Sequence, residues 1–169
     1  MIDIITETDR LILRLPTLDD ASDTYAIYGD PEVMKFIDGD EPFESVEVAR
    51  QSIERGLAYY EKNGVCHYAV VLKENNTMIG HCGFNLYEQT DDLELVVHLN
   101  RKYWGQGYGT EAGKAVIAYA KEIYPTKNIY GVVNPKNTGS IKILERLGLS
   151  FLAKERFDSY YLDVYVLNP

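Results

Sequence analysis

Residues Trp104–Gly113 read WGQGYGTEAG, and what this stretch is for decides the fold. It places Gly105, Gly107, Gly109 and Gly113 within ten residues. Glycine inside an ordered element costs roughly 0.5–1 kcal/mol relative to alanine, so a run this dense needs a physical reason. Upstream, DLELVVHL (Asp92–Leu99) alternates weakly, as a strand does. Downstream, Ala112, Ala115, Val116, Tyr119 and Ile123 recur at helical spacing, and Pro125 marks the end. The order strand, glycine turn, helix N-terminus is a recurrent anion site. The N–H groups of the first helical turn point outward, and the macrodipole adds partial positive charge. A phosphate is the natural guest, with Arg101, Lys102 and Lys136 as candidates to add charge at its rim.

The charge distribution points the same way. The net charge of -9 argues against nucleic acid as a partner, because phosphate backbones are gripped by Lys and Arg. Residues 1–100 hold 7 Lys+Arg against 20 Asp+Glu, residues 101–146 hold 8 against 3, and residues 147–169 hold 2 against 3. The glycine stretch therefore opens the only basic third of an acidic chain. That asymmetry suggests an anionic partner near the glycines and a cationic one elsewhere. At 169 residues the chain is expected to form one domain, over 1–169, with a substantial core. No run approaches the roughly 18 apolar residues of a membrane span, and MIDIITETDR lacks the basic and apolar regions of a leader, so a cytoplasmic protein without a membrane partner is expected. Cys66 and Cys82 lack any nearby CxxC or His ligand pattern and read as reduced packing residues; no metal is expected.

Working outward, the elements alternate in mixed α/β order. RLILRL (Arg10–Leu15) alternates like a strand, and Thr17-Leu18-Asp19-Asp20 resembles a helix N-cap with an acid at its third position. That spacing predicts a first helix from about Asp19 to Tyr28, stopping near Gly29-Asp30-Pro31. Ser45 opens a longer helix with Ala49, Ile53, Leu57 and Tyr60 on one stripe, ended by Asn63-Gly64. HYAVVL (His67–Leu72) and MIGHCGFNLY (Met78–Tyr87) flank the polar turn KENNT and form a hairpin, with Asp92–Leu99 as the next strand of the meander. NIYGVV (Asn128–Val133) follows the helical crossover and can lie parallel to its predecessor. A helix over Asn137–Leu147 and an aromatic hairpin, Ser150–Phe157 with Tyr160–Leu167, close the chain.

Three phosphate sites compete for the glycines. A P-loop is excluded, since no GK[ST] follows at the required spacing. Gly107-x-Gly109-x-x-Ala112 matches a dinucleotide fingerprint, but that motif ends the first strand of a doubly wound domain and expects an acid roughly 20 residues on. Here it follows an antiparallel meander, and Lys127–Lys136 contains no acid. The third site is the pyrophosphate loop of the GNAT superfamily of N-acetyltransferases, [QR]-x-x-G-x-[GA], which Trp104–Gly109 resembles at both glycines. Trp104 stands where that pattern has Gln or Arg, and YWGQGYGTEA (Tyr103–Ala112) is similar to the subgroup of ribosomal-protein N-terminal (RimJ/RimL-like) acetyltransferases. TDRLILRLPTLDDA (Thr8–Ala21), IGHCGF (Ile79–Phe84) and NPKNTGSIKILERLGL (Asn134–Leu149) resemble the same subgroup in order and spacing.

The resemblance implies a GNAT fold, an α/β (α+β mixed) architecture. It has a central, mostly antiparallel twisted sheet with a parallel V-shaped splay and helices on both faces. It implies acetyl-CoA as co-substrate and no metal. The arm would lie against the backbone of Val96, Val97, His98 and Leu99, beside Lys102, with the pyrophosphate on the N–H groups of Gln106, Gly107, Tyr108, Gly109 and Thr110. Asn137, heading an N-x-x-S pattern with Ser140, resembles the residue that hydrogen-bonds the pantetheine, although Asn and Ser also favour helix caps. Acyl transfer from a thioester to an amine needs a base, oxyanion stabilisation and a proton for the thiolate. Glu94 matches the acid of the family's E-I-G-Y strand and is the candidate base. Val96-Val97 replace Gly-Tyr there, so the strand's bulge can differ. Leu144 stands where many members carry a tyrosine, and Ser140 is the candidate thiolate partner. His98 is a weaker candidate base, and His67 and His81 rank below it.

The resemblance implies an acceptor site walled by the first two helices, their connection and the C-terminal hairpin, and in this chain the connection reads IDGDEPFESVE. Asp38, Asp40, Glu41, Glu44 and Glu47, beside Phe36 and Phe43, point either to a cationic amine or to a solvated acidic loop. A protein N-terminus, a polyamine or an aminoglycoside-like amine would fit the first. The alternative to an enzyme is a catalytically silent CoA-binding sensor or partner protein, and either a monomer or a homodimer is compatible with the sequence.

Overall fold

The computed structural model describes residues 3–37, 41–157 and 160–169. One eight-stranded sheet forms its centre. The strands are β1 (Ile4–Glu7), β2 (Leu11–Arg14), β3 (His67–Leu72), β4 (Met78–Leu86), β5 (Leu93–Leu99), β6 (Ile129–Val133), β7 (Ser150–Phe157) and β8 (Tyr160–Leu167). They lie in the order β1-β2-β3-β4-β5-β6-β8-β7. Of these neighbours only β5 and β6 are parallel, joined by the crossover helix α4 (Tyr108–Ile123). The KENNT turn sets the β3–β4 hairpin: Asn76 takes a positive φ of 57°, and Asn75 Oδ1 accepts the Thr77 N–H at 3.0 Å.

Alternation along the strands separates two faces. Tyr68, Val70 and Leu72 of β3, with Leu93, Leu95 and Leu99 of β5, join the main core. Ala112, Val116 and Ala120 of α4, and Leu144 of α5 (Thr138–Arg146), pack into it. Full burial of side chains such as Ile79 and Phe84 is worth about 1.5–3 kcal/mol each. The opposite face carries Ala69, Val71 and Met78 under Ile27 and Tyr28 of α1 (Ala21–Tyr28) and Met34 of α2 (Pro31–Met34), with α3 (Val46–Asn63) packed against α1.

The helix signals read from the sequence hold. Ser45 Oγ accepts the Val48 N–H at 3.3 Å, and Gly64 ends α3 at φ 76°. The first helix begins at Ala21, slightly later than expected, because Leu18–Asp20 form a 3-10 turn. Asp20 is 6% exposed and receives both guanidinium nitrogens of Arg14 at 2.7 Å. It also accepts the Thr17 N–H at 2.7 Å. This ion pair ties α1 to β2. Two elements had no sequence expectation, β1 and α2, each only four residues long and too short for a period to show. Asp30 starts α2 by accepting the Glu32 N–H at 2.9 Å.

Candidate active site

Between β5 and β6 the sheet opens. Their parallel ladder consists of two registers, Leu93↔Ile129 and Glu94↔Tyr130. Beyond these, β5 stays with β4 through seven consecutive pairs up to Gly80↔Leu99, and β6 stays with β8. The strands therefore diverge as a wedge with Glu94 near its vertex. No register shift interrupts the β4–β5 ladder, so Val96 and Val97 continue a regular strand without a bulge toward β4.

The glycine stretch stands over the diverging end of β5, and its four glycines split into two kinds. Gly105 and Gly107 adopt φ of 74° and 83°, left-handed conformations that reverse the chain and start α4. Gly109 and Gly113 are there for contact. A Cβ on Gly109 would meet Ile143 at 3.1 Å and Val97 at 3.4 Å, and one on Gly113 would meet Leu147 at 2.6 Å. These two let α4 settle onto β5 and α5, which brings the first turn of the helix to the wedge.

The loop is braced from within and from below. The Trp104 indole N–H donates to the Leu99 carbonyl at 2.8 Å, pinning the loop to the end of β5. Gln106 Nε2 donates to the Lys102 carbonyl at 3.1 Å. Arg10, just before β2, lies over the Tyr108 ring at 4.2 Å and donates from Nη1 to the Gln106 carbonyl at 3.3 Å. Its Nε donates to Glu111 Oε2 at 2.7 Å, and Thr8 Oγ1 donates to Glu111 Oε1 at 2.5 Å. TDRL was visible in the sequence, but nothing in its spacing showed that it crosses under α4.

Of the three cations expected at the rim, Lys102 and Lys136 are exposed, whereas Arg101 pairs with Asp30 at 3.0 Å and so turns toward the α1–α2 junction. Thr110 is half-buried in the first turn of α4. Asn137 caps α5, its Oδ1 accepting the Ser140 N–H at 3.1 Å, which ties both residues of the N-x-x-S pattern to the helix start.

On the other face, Glu94, Val96 and His98 of β5 point the same way by strand alternation, beside Asn85, Gly83 and His81 of β4. Burial, aided by Glu88, pushes the Glu94 carboxyl up to about 7. Glu94 is therefore poised to take a proton near neutral pH. Tyr130, its register partner, stacks on Tyr87 at 4.2 Å, and Tyr87 donates to Glu155 Oε2 at 3.1 Å.

Further along, three imidazoles from adjacent strands meet under α1. His98 Nδ1 and the Tyr28 hydroxyl share a hydrogen bond at 3.1 Å, His81 Nε2 meets Thr24 Oγ1 at 3.1 Å, and His67 Nε2 meets Asn85 Oδ1 at 2.9 Å. Burial, then the neighbouring imidazoles, hold His98 down at about 3 and His81 at about 4, so both stay neutral at pH 7. Burial also lowers His67, against the hydrogen bond that its ring donates to Asn85 Oδ1. A neutral imidazole at pH 7 with so low a pKa is a feeble base, which leaves Glu94 as the better-matched proton acceptor.

The histidines floor a partly open cavity of about 170 Å³ between α1 and α3. Tyr28, Met34, Ile37 and Phe43 form its wall, Phe43 packing on Tyr28 at 5.2 Å. Of the acceptor residues expected from the α1–α3 connection, Phe43 thus faces the cavity. Phe36 lies under Lys35 Nζ at 5.7 Å instead, Glu41 and Glu44 are exposed, and Asp38 and Asp40 fall outside the described residues. The sequence placed no weight on Tyr28 or Thr24 and little on His67 and His81. Their grouping depends on the β3–β4–β5 register, and only the KENNT turn hinted at that.

Comparison with known proteins agrees with this geometry. The model of the "Acetyltransferase (GNAT) domain" family matches residues 10–150. An uncharacterized N-acetyltransferase, p20, from Bacillus licheniformis is 32% identical over 168 residues, covering 95% of this chain and 93% of its own length. Among solved structures, the RimL ribosomal L7/L12 alpha-N-protein acetyltransferase in complex with coenzyme A superposes with a TM-score of 0.86 at 14% identity, covering 98% of both chains. The microcin C7 self-immunity acetyltransferase MccE, in complex with acetyl-CoA and AMP, gives 0.82 at 16% identity, covering 96% of this chain and 94% of its own. At those identities the two structures speak for the fold. With its wedge, its glycine-led helix and a family match spanning most of its length, the chain belongs to the GNAT acetyltransferases and is an N-acetyltransferase.

Proposed function

We propose that this enzyme transfers the acetyl group of acetyl-CoA to a primary amine by direct attack in a ternary complex. The observation that carries the reading is the position of Glu94. It sits at the vertex of the β5–β6 wedge, on the face opposite α4, with its carboxyl raised to about 7. Acetyl-CoA enters from the α4 side, its pyrophosphate on the N–H groups of the first turn of α4 and its arm along β5. The amine enters from the α1 side. It arrives as a cation, drawn by the acidic surface that Glu41, Glu44 and Glu47 help to form.

Glu94 takes the amine's proton, directly or through water, and the freed lone pair attacks the thioester carbonyl. The carbonyl's developing negative charge meets a β5 backbone N–H near Val96 or Val97. The C–S bond then breaks, and the nitrogen's second proton passes to the departing thiolate, relayed by the Ser140 hydroxyl at the start of α5, while the proton on Glu94 is released to solvent. Both co-substrates fit a cytoplasmic enzyme working as one domain over 1–169.

Following free-thiol release from acetyl-CoA across a panel of amines tests this reading. Release that depends on the acceptor is expected. Acetyl-CoA binding without release for any amine would replace it with the silent CoA-binding alternative.

A further inference from the structure

We propose that the cavity between α1 and α3 receives an uncharged, ring-sized substituent of the acceptor amine, an inference that rests on the acetyl-transfer reading above. Its volume, about 170 Å³, is slightly larger than the apolar cavity of about 150 Å³ that holds one benzene. Among the described residues no carboxylate and no ammonium lines it. A second ammonium entering here would lose its hydration without gaining a counter-charge from any described lining residue, a costly exchange. The neutral imidazoles, Tyr28 and Phe43 offer ring faces and edges instead, and the Thr24 and Ser52 hydroxyls suit at most a small polar atom on the guest.

Gly56 supplies an independent reason. It lies in the interior of α3, where glycine costs roughly 1 kcal/mol relative to alanine, and it lines the cavity. A Cβ built on it meets nothing within 4 Å. Neither a left-handed backbone nor a close neighbour explains this glycine, unlike Gly107 or Gly109. What it leaves is open space on a residue that lines the cavity. The position also suits the chemistry. His98, on the cavity floor, is two residues along the same strand face from Val96, about 7 Å, so a ring in the cavity with a short tether brings its amine to the Val96 stretch of β5, from where Glu94, a further two residues on, is reached through water.

The acceptor is thus a monocationic amine on a compact neutral group, and linear polyamines and aminoglycosides are poor fits. The test uses the full chain with acetyl-CoA and three primary amines, compared per free base: benzylamine, its para-aminomethyl analogue, and ethylamine. Benzylamine is expected to have a kcat/KM at least tenfold above the other two. Gly56→Leu, which fills the cavity from an open position, is expected to lower the benzylamine-to-ethylamine ratio at least tenfold. Gly56→Ala should lower it less, with both variants melting at or above the wild-type temperature because a helical glycine has been replaced. The proposal is overturned if the diamine matches benzylamine, or if neither Gly56 variant moves the ratio while thiol release continues. Release with none of the amines, acetyl-CoA being bound, overturns the acetyl-transfer reading and the cavity's role together.

Discussion

On the α4 side of β5 the site is finished by backbone: the unpaired stretch of the strand, two left-handed glycines and the first turn of a helix. On the α1 side it is finished by side chains, contributed by β3, β4, β5, α1, α3 and the segment before α3. A backbone site offers the same N–H groups whatever the neighbouring residues are, and suits a co-substrate that never changes. A side-chain site can be re-lined residue by residue without disturbing the sheet. In the proposed reaction the two faces of one strand thus separate what is common to the chemistry from what is particular to its acceptor.

Glu94 stands where the two sides meet, and its removal should have the largest effect. General-base assistance contributes roughly 10²–10⁴-fold, so Glu94→Gln should lower kcat by that order with acetyl-CoA affinity nearly unchanged. The wild-type rate should rise with pH about a midpoint near 7 as the carboxyl ionises, and the variant should lose that midpoint. Stability carries the opposite sign. A carboxyl raised from 4.5 to about 7 holds its proton more tightly in the folded state, so the protein loses stability as pH climbs through that interval. Urea titrations of Glu94→Gln should show a flatter pH dependence there. A kcat profile identical in the two proteins would take the base role from Glu94.

The acceptor side hangs on α1, and α1 hangs on the Arg14–Asp20 pair, whose side chains are 13% and 8% exposed. Removing one member of such a pair strands the other and costs about 3–5 kcal/mol. Asp20→Ala should lose that much in denaturant unfolding. Below the melting transition it should also raise the KM of the amine more than that of acetyl-CoA, since Thr24 and Tyr28 both ride on α1. Burial works to raise the Asp20 carboxyl, but the Arg14 hydrogen bonds and the Thr17 N–H hold it below its ordinary value. Its stabilising contribution is therefore complete at neutral pH and disappears as pH falls through the acidic range, a limb the variant should lack. Equal losses in both KM values would show that α1 supports the whole fold rather than one side.

The converse break lies in the loop. Gly107 at φ 83° has open space around its Cβ position, the nearest atom being Arg10 Nη2 at 3.6 Å, so a substitution there strains the backbone without clashing. Gly107→Val should cost about 1–3 kcal/mol of local strain, felt as a roughly tenfold or greater loss of acetyl-CoA affinity. The amine's KM should move less. Calorimetric titration with CoA checks the first, and initial rates at saturating acetyl-CoA check the second.

These two sides also differed in how far the sequence disclosed them. Glycine spacing, a helical stripe and a following strand are local, so WGQGYGTEAG marked the glycine turn and the start of α4, and similar local signals marked most other element boundaries. The registers that bring His67, His81 and His98 under Tyr28 span more than 30 residues, and no local pattern encodes them. Likewise Arg10 reaches the loop across nearly 100 residues. The acidic run before α3 was conspicuous in the sequence, yet Glu41 and Glu44 end at the surface, while the inconspicuous Gly56 lines the cavity. Composition marks where charge gathers, not which side chains face inward.

The smallest effect concerns Asn137, where the sequence permitted both a cap and a pantetheine contact. Its Oδ1 accepts the Ser140 N–H, and losing a cap of this kind costs about 0.5–2 kcal/mol. Asn137→Ala should therefore lower stability by roughly 1 kcal/mol. Asn137→Asp separates the roles, because aspartate caps as well as asparagine and adds a favourable charge at the helix start, yet has no amide N–H to donate. If the amide also holds the pantetheine, this variant keeps its melting temperature while the KM of acetyl-CoA rises about two- to tenfold, the range expected for one hydrogen bond. That is the expected outcome. An unchanged KM would assign Asn137 to α5 alone and leave the co-substrate side of β5 to be made by backbone throughout.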